Sequence, residues 1–245
     1  MAGFKMHIST STVIGLGYGA VSHFYFGLPA PTCALAAGLC SVSGMLPDLD
    51  SESGKPVREG SAFAAAVVPM LMMDRFQAMG WTNETIALAA AGIYLAILWP
   101  PSPLLEKFSH HLGMWHSYPA AAIAGLLAFM VCSGLTTDIR IFKASAVVLG
   151  FMTHLVLDEI YAIDMSRGRI RFKSTFGTAM KFYSKSGWAN ISTYGKLVAC
   201  VALVIGEPMV MPPAPPVQPA QGFPQTEFPQ TAEGVGPGTE GNLFR

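Results

Sequence analysis

What most constrains this chain is where its charges are missing. Asp, Glu, Lys and Arg are absent from Ile8 to Pro47, Gly60 to Met73, Thr85 to Leu105, Phe108 to Thr137 and Ala144 to Leu157. A helix in a soluble protein needs one wet face, and these stretches supply none. A membrane span needs about 20 mostly apolar residues. Composition agrees with the pattern. Charged residues are 12% of 245, against roughly 25% in a soluble domain, and mean hydropathy is +0.43. Ala, Leu, Met and Gly dominate the gaps, without the alternation of a barrel. The expected fold is therefore all-α, a multi-pass transmembrane helical bundle. Its spans are expected near Ser9–Phe26, Thr32–Leu46, Ser61–Trp81, Thr85–Pro101, Tyr118–Leu135 and Ile141–Leu157, about six in all at that span length.

Several features refine this expectation. Asp74 and Arg75 interrupt the third span. A seventh apolar run, Leu197–Gly206, is too short to cross alone; it is either extended by flanking residues or placed at the interface. Gly15, Gly17, Gly19 and His23 break up the first apolar run, so residues 1–27 read as a retained helix rather than a signal peptide. Gly15 and Gly19 form a GxxxG pair suited to close helix packing. His23, in mid-span, is expected to bond between helices. Cys33, Cys40, Cys132 and Cys200 stand alone in apolar stretches and build no disulfide framework. From Glu207 onward the composition shifts, with nine of the 18 prolines at Pro208 or later. Residues 1–206 thus read as a membrane-embedded domain. Residues 207–245 read as a disordered Pro/Gly/Gln-rich tail, available to protein partners.

Basic residues set the topology. Lys5, Lys55, Arg58 and Lys107 fall on one side of the six-span model. So do Arg167, Arg169, Arg171, Lys173, Lys181 and Lys185. The other side receives Arg140 and Lys143, with Arg75 open to the same side. That bias marks the first side as cytoplasmic. A net charge of zero argues against nucleic acid as a partner and leaves membrane lipids.

Against so apolar a background the ligand-type side chains stand out: LPDLD at 46–50, HHLGMWHS at 110–117, HLVLD at 154–158, and His7. Span parity brings all of them to the cytoplasmic side. His154 and Asp158 are four apart and share a helix face. Asp48 and Asp50 reach one point from an extended turn. His111 and His116 do so from a loop bent at Gly113. His with Asp is a ligand set for a divalent metal, Zn or Mn among others, and carboxylate-rich sites suit Mn or Mg. Taken singly, each cluster has a plainer reading as a turn, an interfacial group or a buried hydrogen-bonded pair.

His7, LPDLD, the split H-x-G-x-x-H-S (His111, Gly113, His116, Ser117) and G-F-x-x-H-L-x-L-D (Gly150 to Asp158) together resemble one family. It is the membrane-bound metal-dependent hydrolase family, which includes LexA-binding, inner-membrane-associated hydrolases of bacteria. The resemblance covers roughly residues 1–180. It implies a multi-pass bundle in the inner membrane with a divalent-metal site. The ligands it implies are His7, Asp48, Asp50, His111, His116, His154 and Asp158. Two positions depart from the family pattern: Leu112 stands where Arg is usual, and Trp115 where Thr is usual.

The leading functional expectation is a hydrolase using metal-activated water. Asp50 or Asp158 would act as base, on a lipid-linked or other amphiphilic substrate. HExxH and GxSxG are absent, so neither a zincin nor a serine-hydrolase elbow is expected. A metal or proton transporter is the second reading. A non-catalytic membrane adaptor is the third, favoured by Leu112 and the Pro-rich tail.

Overall fold

A computed structural model describes residues 3–50, 54–98, 114–132, 136–164, 171–172, 177 and 180–210. The chain divides into two units, Met1–Pro212 and Pro213–Arg245, and every described residue lies in the first. That unit is helical. Its α-helices are α1 (Phe4–Phe24), α2 (Ala30–Ser43), α3 (Gly54–Leu71), α4 (Met73–Ala78), α5 (Asn83–Leu98), α6 (Tyr118–Val131), α7 (Thr137–Tyr161) and α8 (Gly187–Val210). A 3-10 turn, Leu46–Asp50, follows α2. Two-residue strands β1 (Ile163–Asp164) and β2 (Arg171–Phe172) pair antiparallel, Ile163 opposite Phe172.

Among the described residues, three segments are long and apolar enough to cross a membrane: Ala30–Asp48, Thr137–Tyr161 and Gly187–Glu207. Asn83–Leu98 and Tyr118–Val131 are apolar but shorter. The third of the crossing segments contains the run Leu197–Gly206, which flanking residues extend: it lies mostly in the C-terminal half of α8, and the helix gains length from Gly187 onward. The helix α1 has 21 residues but is not among the three, because Ser, Thr, Gly and His dilute its hydropathy. The expected single helix over Ser61–Trp81 is corrected. Its chain stops at Leu71 and restarts at Met73 as a separate short helix. Pro69 lies in the last turn of α3, where its ring removes a backbone donor and crowds the preceding turn.

The core of the bundle is α1, α2 and α7. A Cβ at Gly15 would stand 2.6 Å from the Ala37 carbonyl oxygen, and one at Gly19 2.9 Å from that of Cys33. The GxxxG pair is therefore the α1–α2 contact. Gly150 does the same for α2 and α7, since a Cβ there would collide with the Cys40 carbonyl and the Ser43 hydroxyl. Ala36, Cys40 and Ala146 fill the seam, flanked by Tyr18, Phe142 and Leu149. The Tyr18 hydroxyl donates to the Phe142 carbonyl at 3.1 Å. Large apolar side chains such as Val13, Leu88, Val198 and Ile205 face outward, as expected of a surface in contact with lipid. His23 is exposed, and its Nδ1 lies 2.8 Å from the Leu28 carbonyl just past the end of α1. It closes a turn and does not bridge helices.

At one end of the bundle, Glu207 of α8 is held by Arg75 of α4 and Arg140 of α7. Arg140 Nη2 lies 2.5 Å from Glu207 Oε2. The two arginines also donate to carbonyls ending α6, which have no helical partner of their own. Arg75 reaches Met130 at 2.5 Å. Arg140 reaches Phe129 and Cys132, each at 2.8 Å, with its guanidinium 4.0 Å from the centre of the Phe129 ring. Arg75 thus shares an end with Arg140.

Gly150→Val should lower bundle stability by about 1–3 kcal/mol, the usual cost of overpacking. It should also weaken metal retention, because Gly150 sits one turn before His154. Thermal unfolding in detergent and metal content of the same sample check both effects.

Candidate metal centre

The far end of α7 carries the site. His154 lies 14 residues beyond Arg140, or about 21 Å along the helix at about 1.5 Å per residue. His154 and Asp158 project from one face, with Nε2 3.4 Å from Asp158 Oδ2. His7, the fourth residue of α1, brings its Nε2 to 3.4 Å from Asp158 Oδ1. Its ring stacks on that of His154 at 3.7 Å between centroids and 13° between planes. Asp48, in the 3-10 turn, places Oδ1 3.5 Å from His154 Nε2 and 3.8 Å from His116 Nε2. His116 Nε2 is in turn 3.7 Å from Asp158 Oδ2.

Local chemistry fixes each arm. Ser11 is wholly buried; its hydroxyl lies 2.7 Å from the His7 carbonyl in its own helix and 2.9 Å from the Ser41 carbonyl of α2, to which it ties α1. Ser117 is the N-cap of α6. Its hydroxyl accepts from the Ala120 amide and lies 2.5 Å from the Met114 carbonyl. Backbone pairing of Ser117 and Tyr118 with Lys181 steadies the same corner. His116 is therefore presented from a pinned turn just before the helix. Ser-Tyr-Pro is an N-cap followed by Pro in the first turn, a signal present in the sequence that motif matching passed over.

His154 Nδ1 lies 2.7 Å from the Gly44 carbonyl. A carbonyl only accepts, so Nδ1 carries the hydrogen, and in the neutral ring the lone pair is on Nε2. That Nε2 is buried and makes no hydrogen bond, and the same is true of His116 Nε2. The His–Asp separations, 3.4–3.8 Å, are long for hydrogen bonds, whose mode is about 2.9 Å. Two atoms each about 2.1 Å from a tetrahedral ion stand about 3.4 Å apart. Donor type, spacing and the orphaned ring nitrogens therefore all fit a divalent cation. Among the described residues, His7, His154 and Asp158 form one group able to hold an ion, and Asp48, His116 and His154 another. The groups share His154, which has one free nitrogen, so through it they serve a single ion.

The site is graded in depth. His7, His154 and Asp158 are 1%, 0% and 4% exposed, whereas the side chains of His116 and Asp48 retain 16% and 23%. The open rim is thus on the Asp48–His116 side. Five of the seven expected ligands come together. Asp50 closes the 3-10 turn, but its side chain lies outside the described residues, as do His111 and Leu112.

Comparison with family models, with curated proteins and with solved structures found no match.

Proposed function

We propose that the protein is an inner-membrane hydrolase working with one divalent ion, Zn, Mn or Mg, at the cytoplasmic end of the bundle. Its described ligands would be His7, Asp48, His116, His154 and Asp158, with Asp50 and His111 the remaining members of the set in the resembled family. The observation that carries this reading is the His154 ring, its Nδ1 committed to Gly44 and its Nε2 left free beside two carboxylates. When bound, such an ion lowers the pKa of a water and polarises the scissile group. The chain's own groups do the rest. Asp158 faces imidazoles on both oxygens, which suits it to ligation and charge balance. Asp48, with the more exposed carboxylate, is the better placed of the two to accept a proton from attacking water, on the oxygen other than the Oδ1 that faces the imidazoles, with Asp50 of the same turn the second candidate. Stacked His7 and His154 close the deep side against solvent.

The test is metal-loaded purified protein incubated with extracted membrane lipids. Water-soluble headgroup should be released, the release should stop with chelator, and added Zn or Mn should restore it. Release that ignores chelator contradicts the proposal. In this reading α8 is a further span, running from the site end to the Arg140 end. Reporter fusions after Lys181 should report cytoplasm, and fusions after Asp138 and after Glu207 the opposite side. Matching signals from Lys181 and Glu207 fusions would remove α8 from the spans.

A further inference from the structure

A cavity of about 380 Å3 lies among α2, α3, α6, α7 and α8, within the size range of small-molecule sites. It begins beside the metal cluster. Leu46, Trp115 and Phe151 line it and stand two, one and three residues from Asp48, His116 and His154. It reaches Leu71 and Val131 at the other end. Along α6 the lining runs from Ala120 to Val131, eleven residues or roughly 16 Å. The space exists because Ala120, Ala124 and Ala128, on successive turns, leave room that larger side chains would fill.

Three observations say what fits. The lining is hydrocarbon over nearly all its length, which suits an alkyl chain and repels anything hydrated. The indole N–H of Trp115 is buried and has no acceptor. An unmade hydrogen bond of this kind is costly, and an oxygen from a ligand would satisfy it. Lys196 is the only charged side chain among the described lining residues, a cation able to reach from an apolar wall toward an anionic group. We propose that the cavity receives the single hydrocarbon chain of an anionic amphiphile, its tail toward Val131 and its headgroup oxygen on the Trp115 N–H. At about 1.3 Å of advance per methylene, from the ~1.52 Å carbon–carbon bond, roughly 16 Å takes about a dozen carbons. That the bond cut lies at the His–Asp cluster rests on the proposed hydrolase reading; the tail chamber does not.

The probe is an alkyl phosphate of about a dozen carbons with a photoreactive diazirine at its tail end, crosslinked to the detergent-extracted full chain and mapped by mass spectrometry. Wild type should be labelled at Leu71 and Val131. A probe about half as long should label near Ala124 and Val147 instead, a shift read on unmutated protein. Ala124→Trp should reduce labelling at Val131 about tenfold, the equivalent of roughly 1.4 kcal/mol in affinity. Trp115→Phe, which keeps a ring and loses the donor, should weaken probe binding about three- to tenfold. His154→Ala should still be labelled at Val131. Retained labelling there, with no metal-dependent lipid hydrolysis in wild type, would leave the chamber standing and sink only the hydrolase reading. Labelling confined to outward-facing residues such as Leu88 and Ile205, or labelling whose position ignores chain length, would overturn the chamber itself.

Discussion

His154→Ala should strip most of the metal from protein that still inserts and purifies as a single species. The ring supplies the one nitrogen common to both ligand groups, and its loss removes direct coordination. Changes in groups that merely orient a ligand already cost about 10–100-fold in affinity, so loss of the ligand itself should exceed that. The alanine also leaves the Gly44 carbonyl without its donor, a smaller penalty of about 1–3 kcal/mol. His23→Ala is the control, because that ring is exposed and bonds only within its own turn. Metal should remain there. Equal metal in both variants, measured by elemental analysis per mole of protein, would mean that the cluster is not the site.

Glu207→Ala should give the largest loss of stability. It would leave Arg75 and Arg140, with side chains 19% and 15% exposed, facing each other without the carboxylate between them. Removing one partner of a buried ion pair typically costs about 3–5 kcal/mol, and here two cations share the one anion. The C-terminal end of α6 would be loosened in the same step, since both arginines also hold its carbonyls. Unfolding in detergent, followed by tryptophan fluorescence, checks the effect. Metal content per folded molecule should change little, because the cluster lies at the other end of α7. An unfolding midpoint equal to that of wild type would show that the triad contributes nothing.

The parts of this molecule readable from sequence are those governed by local spacing. The i, i+4 relation of His154 and Asp158 and the Gly15–Gly19 contact appear as the residues imply, because helix geometry alone decides them. The meeting of His7, Asp48, His116, His154 and Asp158 at one end follows from the parity of antiparallel helices. What was not legible depends on distant partners. Glu207 read as the start of a tail because a charge normally ends an apolar run, and its partners Arg75 and Arg140 stand 132 and 67 residues away. The Gly44 carbonyl that fixes the His154 tautomer is 110 residues from it. The cavity is absent from any one segment, since it arises where α6 offers alanines to residues of four other helices. Trp115, in sequence only a departure from a motif, gains meaning from its unsatisfied donor in that wall.

The central claim is that the buried histidines and aspartates hold one divalent ion. Elemental analysis of wild-type protein purified without chelators tests it most directly. Close to one Zn, Mn or Mg per chain is expected, falling sharply in His154→Ala. Wild-type protein that carries no divalent metal, and takes up none when it is supplied, would contradict it.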